Sequence, residues 1–284
     1  MSPDYSFVVT DHRILVKELY AQAKDLIRKG FRHVEITGHD PIEYEYLPEY
    51  ISWLKSIGFK EVTLATHGRN LSDKDLCERF IRSGLDAIRI PVYGSNAKIH
   101  DSVTRSPGSF DETISGLRNI SCLGIDVFIV SMILKENIDD MENIVDIARS
   151  FNAELDIIQT GVSCKEIVSH MVDYEILRER LPDIYSHCES SLGDNFNFFD
   201  FAHCLFGSMK DHAIFTEVPD MSDTYSVPEI FATGKSNVPN YRIMTKLPFC
   251  KECTYNRSCG GFRKNQVLEI GIPDRSIVPR DFLL

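Results

Sequence analysis

His33-Val34-Glu35-Ile36-Thr37-Gly38 is a short β-branched run stopped by a glycine, and the same pattern returns at Glu61-Val62-Thr63-Leu64-Ala65. It recurs at residues 86–92, at the β-branched run 125–132 and at 153–159. Between these runs the apolar period changes from two to 3.6. Leu15, Leu19, Ala23, Leu26 and Ile27 form one helical stripe, with Thr10 or Asp11 as its expected cap and Gly30 as its stop. Pro48 suits the first turn of a second helix that Gly58 closes, and Ser72 with Asp75 resembles a capping box for a third that ends at Gly84. Residues 109–123 and 139–151 complete the set. Strands that recur about every 25–40 residues with helices between them predict a parallel sheet with right-handed crossovers. Five strands are read in this way.

Beyond Gly161 the cadence fades. Residues 172–192 are expected to be helical and broken at Pro182. Phe196, Phe198, Phe199, Phe201 and Phe206 follow closely, a density that reads as core at a domain junction. The expected divisions are a barrel-like part over residues 1–161, a helical and aromatic bridge over 162–203, and a cysteine-rich part over 204–284.

The chain has 284 residues and a formal charge of −11, so nothing in its balance favours nucleic acid or an anionic membrane. Its longest apolar run, Cys122 to Leu134, is too short to span a bilayer and is interrupted by Asp126. Met1-Ser2-Pro3-Asp4-Tyr5 shows no secretory pattern, so a cytoplasmic setting is expected, where the eight cysteines would be thiols or metal ligands. Cys250, Cys253 and Cys259 form C-x2-C-x5-C, with Pro248, Gly260 and Gly261 as turn-makers around them. Thiolates two residues apart can face one metal, and Cys204 is the candidate fourth ligand of an iron–sulfur cluster. His203 is its competitor, which would give a Cys3His zinc site. Cys77, Cys122, Cys164 and Cys188 read as unligated, the first two as small buried helix residues.

Other residues carry chemistry by position. Arg89 interrupts an apolar strand between Ile88 and Ile90, so its guanidinium needs a carboxylate, a phosphate or a ligand. A structural ion pair and a carboxylate-binding role are the alternatives. Gln159 either bonds a ligand at a strand end or finishes the sheet, and His67 and Tyr93 also fall at strand ends. His100-Asp101 is read as structural.

Several of these runs resemble one family. Val34 to Thr37 with Gly38-His39-Asp40-Pro41 resembles the strand-end T-G-G-E-P motif of radical S-adenosylmethionine (radical SAM) proteins, and Ala65-Thr66-His67-Gly68 resembles their next strand end, T-N-G. Gly84-Leu85-Asp86, His100-Asp101, Gly108-Ser109-Phe110 and Gly116-Leu117-Arg118-Asn119 match the middle of that family's barrel, and the C-x2-C-x5-C tail resembles its SPASM or twitch auxiliary-cluster domains. The resemblance implies a partial parallel (βα) barrel of about five strand–helix units with a small cysteine-rich C-terminal domain. It implies S-adenosylmethionine at Gly38, His39, Asp40, Pro41 and Thr66, with Arg89 and Gln159 as further contacts, and an auxiliary [4Fe–4S] cluster on Cys204, Cys250, Cys253 and Cys259. It also implies radical chemistry on a peptide or small molecule.

One departure dominates. The family's C-x3-C-x2-C loop, which holds the catalytic cluster after the first strand, is missing, because no cysteine precedes Cys77. The chain is therefore expected to begin just after that loop, as a truncated, split or degenerate member. A partner chain or an N-terminal segment would supply the loop, and the isolated chain is expected not to cleave S-adenosylmethionine reductively. His39 in place of a glycine and Asp40 in place of Glu are smaller departures. The alternative is a non-catalytic binding protein that keeps a structural zinc or iron–sulfur site.

Overall fold

The structure is a computed structural model that describes residues 5–10, 16–161, 165–206, 212–214, 244–271, 273, 275–278 and 280. It is α/β, and the main strands join in one sheet in chain order. They are β1 (Tyr5–Thr10), β2 (His33–Gly38), β3 (Glu61–Ala65), β4 (Ala87–Pro91), β5 (Asp126–Ile133), β6 (Glu154–Gln159), β7 (Phe196–Phe199) and β8 (Ala213–Ile214). Helices α1 (Val16–Arg28), α2 (Leu47–Ser56) and α3 (Lys74–Arg82) connect the first four strands; α4 (Ala97–Thr104) and α5 (Ser109–Ser121) join β4 to β5. Helices α6 (Met141–Ser150) and α7 (Tyr174–Leu192) follow. The expected partial parallel barrel of the radical SAM type is therefore present, with three strands that the sequence reading did not contain.

The chain divides into two compact units, Met1–Val130 with Ile147–Glu154, and Ser131–Asp146 with Leu155–Leu284. In the first unit the strand pairs are parallel, with Phe7 opposite Glu35, Glu35 opposite Thr63, Ala65 opposite Arg89, and Arg89 opposite Phe128. Period-two alternation then sorts the side chains. Val34, Ile36, Val62, Leu64, Ile88, Ile90, Val127 and Ile129 are buried on one face, each contributing about 1.5–3 kcal/mol. The other face carries Glu35, Thr63, Arg89 and Phe128.

β1 changes the reading of the N-terminus. Thr10 was an expected helix cap, but it ends β1, and its hydroxyl donates to the carbonyls of Thr37 (3.0 Å) and His39 (2.8 Å). β1 thus precedes α1 and pairs with β2, one strand ahead of those that the sequence reading contained. The other candidate cap, Asp11, lies outside the described residues.

Three local expectations are also corrected. Asp73, not Ser72, caps α3, accepting from the amides of Asp75 (2.9 Å) and Leu76 (3.4 Å), because Ser72 ends the preceding 3-10 turn Arg69–Ser72. Cys122 is exposed just past the end of α5, whereas Cys77 is buried as expected. α7 runs through Pro182 without a break, because Leu177, Leu181, Ile184, Tyr185 and Cys188 anchor one continuous buried stripe. In the second unit Phe196, Phe198, Phe201 and Phe206 are core, as expected, and Tyr185 lies 5.3 Å from Phe196 ring to ring.

Candidate functional site: a strand-end acid–histidine pair and a four-cysteine hollow

In the first unit the ends of β2 and β3 bring Asp40, Thr66 and His67 together. Asp40 starts the 3-10 turn Pro41–Glu43 and accepts from the amide of Ile42 at 3.4 Å. Its other oxygen lies 3.1 Å from the His67 amide and 3.1 Å from His67 Nδ1. The Asp40 side chain is 10% exposed and that of His67 is 67% exposed. Burial alone would push the Asp40 carboxyl up. The hydrogen bonds from His67 and Thr66 and the imidazolium charge more than reverse this and hold it below the usual carboxylate range. The hydrogen bond to Asp40 raises His67 above its ordinary value, against partial burial and the charge of Arg69, with Glu43 assisting. His39 sits 3.3 Å from Glu43 on the same connection.

Arg89 takes the ion-pair arrangement. Its Nε lies 3.5 Å from Glu35 of β2, reaching past the small Ala65 of β3, and its guanidinium carbon stands 5.2 Å from the Phe128 ring centroid. The Arg89 side chain stays 25% exposed on the polar face of the sheet. His100 and Asp101 lie in α4. His100 is buried between Tyr93 and Phe110, and its Nδ1 accepts from the Tyr93 amide; Asp101 accepts from Gly108, Ser109 and Phe110 at the start of α5. Both roles are structural, as expected.

The second unit holds the cysteine cluster. Strands β9 (Met244–Thr245) and β10 (Phe262–Arg263) pair antiparallel and bracket the C-x2-C-x5-C segment. Cys250 sits in the 3-10 turn Pro248–Glu252, and the Cys253 amide bonds its carbonyl at 3.2 Å. Lys246 Nζ reaches back to the carbonyls of Asn256 and Cys259 and ties the loop shut. Gly261 has φ +91°, and a Cβ there would stand 2.3 Å from the Thr245 carbonyl oxygen, so only glycine lets the strands approach. Cys204, in the turn His203–Leu205, joins Cys250, Cys253 and Cys259 around one hollow that Tyr255 and His203 also line.

The Cys259 sulfur accepts from the amides of His203 (3.5 Å) and Gly261 (3.3 Å), the kind of N–H···S bond that stabilises a ligating thiolate. Burial pushes the Cys204 thiol far up, and the other three sulfurs push in the same direction. Burial likewise raises Cys250. Such thiols keep their protons until a cation draws them off. Among the described residues no three His, Cys, Asp or Glu side chains are drawn together tightly enough to hold a single ion. Cys164 lies outside the described residues. Gln159 is buried and donates to Gln266, whose amide continues to the Val172 carbonyl.

The pattern that defines the Radical SAM superfamily matches residues 6–148, half of the chain. The chain belongs to the radical SAM superfamily. The match starts in β1 and runs into α6. A probable GTP 3′,8-cyclase of Sulfurisphaera tokodaii is 29% identical over 51% of this chain and 43% of its own length; the GTP 3′,8-cyclase of Aquifex aeolicus is 26% identical over 52% and 45%. The chain thus spans about half the length of the curated relatives it matches. Among solved structures, anSMEcpe with bound AdoMet has a TM-score of 0.60 at 11% identity, covering 98% of this chain and 94% of its own. Streptococcus suis SuiB bound to the precursor peptide SuiA gives 0.56 at 16%, covering 71% and 49%. These two share the fold. Radical SAM proteins are enzymes that use a [4Fe–4S] cluster and S-adenosylmethionine, and no helix among the described residues is long and apolar enough to cross a membrane.

The sequence reading missed β1. Phe7, Val8 and Val9 were its signal, but the six-residue strand stands outside the helix–strand cadence that found the others.

Proposed function

We propose that this chain binds an iron–sulfur cluster on Cys204, Cys250, Cys253 and Cys259 and serves radical SAM chemistry whose first cluster it does not ligate itself. The observation that carries the first half is the hollow ringed by four thiols from two separate segments. A cubane needs four sulfurs spread over its corners, whereas zinc needs them drawn to one tetrahedron. The likeness of the C-x2-C-x5-C tail to the family's auxiliary-cluster domains supports the cluster over zinc. Cys204 serves as the fourth ligand, since its sulfur feels the other three, while the His203 ring meets the Tyr255 ring edge-on at 5.8 Å. Free thiols of this kind suit a cytoplasmic, reducing setting.

The second half rests on the first crossover. Thr10 ends β1 and Val16 begins α1, and the intervening Asp11-His12-Arg13-Ile14-Leu15 holds no cysteine. A catalytic cluster bound to S-adenosylmethionine would supply the electron that yields a 5′-deoxyadenosyl radical, but this chain's residues do not fit it. A partner chain or a preceding segment would carry that cluster, with Gly38, His39, Pro41, Thr66 and Arg89 helping to line the cofactor's groove and a peptide or small molecule as substrate. The absence of cysteine before Cys77 favours a second reading, in which the barrel has become a non-catalytic binding protein that keeps its C-terminal site.

Anaerobic reconstitution with iron and sulfide tests the cluster. The expected result is about four irons per chain with visible sulfide-to-iron absorption, lost in Cys250→Ser and Cys204→Ser. One zinc and no colour would overturn it.

A further inference from the structure

Asp40 takes the place where the family's strand-end carboxylate stands, yet its oxygens are occupied. One accepts from the Ile42 amide, the other from the His67 amide and imidazole, and Thr66 adds a hydrogen bond. Only a tenth of the side chain meets solvent, so the rim offers an incoming ammonium no open carboxylate. What it offers is imidazole. With Nδ1 fixed by Asp40, the His67 ring is aimed and held in one tautomer, and Nε2, which no described residue bonds, is the atom left for a ligand.

We propose that the ends of β2 and β3 form an oxyanion-binding site whose contact atom is His67 Nε2, with Asp40 as its positioning residue, and that its ligand presents a carboxylate or a phosphate. Three observations carry it. The pair is asymmetric, with a buried acid and an exposed histidine, which is how an orienting group and a presenting group differ. It sits at the C-terminal end of parallel strands, where βα proteins collect their ligand contacts. The Arg69 guanidinium, held by Glu112 and Ser106, contributes positive potential at the imidazole, while Asp40 and Glu43 favour its protonated form. Thr113, from α5, donates to the His67 carbonyl at 3.2 Å and holds this backbone to the helix. The inference uses the first unit alone, so it stands or falls independently of the cysteine site.

The test is NMR of the imidazole in the full chain, with inorganic phosphate or acetate as probe at pH 6. The expected result is that at least one probe moves the His67 resonances, that the tighter probe names the ligand's acid group, and that His67→Gln abolishes the effect. Asp40→Asn should bring the His67 titration down toward its ordinary value and weaken the tighter probe about tenfold at pH 7, because the ring loses both the bond that fixes it and the charge that favours its protonated form. Circular dichroism checks that both variants stay folded. If neither probe moves His67, if His67→Gln binds as wild type does, or if Asp40→Asn leaves the titration where it was, the proposal is overturned.

Discussion

Gly38 has φ +119°, and a Cβ there would stand 2.2 Å from the carbonyl oxygen of Thr10, an oxygen that also accepts from the His39 amide at 2.9 Å. Gly38→Ala must both enter a disfavoured backbone region and push β1 away, so we expect a loss of about 2–4 kcal/mol, read from urea unfolding. A neighbouring prediction concerns pH. The folded Asp40 value is lowered, so its contribution is complete above the unfolded value near 3.8 and fades as pH falls through the lower folded value. The folded His67 value is raised, so its contribution is complete below 6.5 and fades as pH rises through the higher folded value. The pair therefore stabilises most between about pH 4 and pH 6.5. Asp40→Asn should lose most stability within that window and less above it, where the His67 contribution fades while the amide and hydroxyl bonds to Asp40 remain; a constant deficit from pH 4 to pH 9 would refute the assignment. At this scale the sequence was partly legible. Strand-end residues could be placed, because a glycine after a β-branched run marks the stop. That Asp40 would turn to His67 could not, since the partners lie 27 residues apart and only strand pairing brings them together.

Among the elements, α7 carries the clearest conflict between local propensity and packing. Pro182 lies inside a 19-residue helix, where it supplies no amide to the turn before it. The buried stripe on either side overrides that cost, which is why a rule that ends helices at proline failed here. Pro182→Ala should return part of the roughly 3 kcal/mol that an interior proline costs; a gain of about 1–2 kcal/mol, or several degrees in melting temperature, is expected by calorimetry. A lower melting temperature would show that the proline ring's packing outweighs the amide it removes. β1 shows the opposite lesson. Phe7-Val8-Val9 has the composition of a strand, but an isolated run at the start of a chain has no periodic neighbour to fix its type, and pairing with β2 decides it. The loop cysteines were legible because ligand spacing is a local property, whereas the approach of Cys204 from 46 residues upstream of Cys250 is a product of folding.

At the scale of the whole molecule, the radical SAM match and the positions of the cysteines stand apart. The family's pattern matches residues 6 to 148 and the main strands follow chain order in one sheet, yet no cysteine precedes Cys77. The parallel sheet draws its stability from the apolar strand faces and their helices, and loop length costs little, so the sheet does not depend on sulfurs in its loops. The consequence is measurable in the reconstituted protein. Under a strong reductant with S-adenosylmethionine, it should form no 5′-deoxyadenosine above the protein-free control, even when its C-terminal site is filled with iron. Replacing residues 11–15 with a longer segment bearing C-x3-C-x2-C should add about four irons per chain, the content of one more cubane. If the unaltered chain yields 5′-deoxyadenosine, the electron reaches the cofactor by a route other than the first crossover, and the partner-dependent and non-catalytic readings fail together.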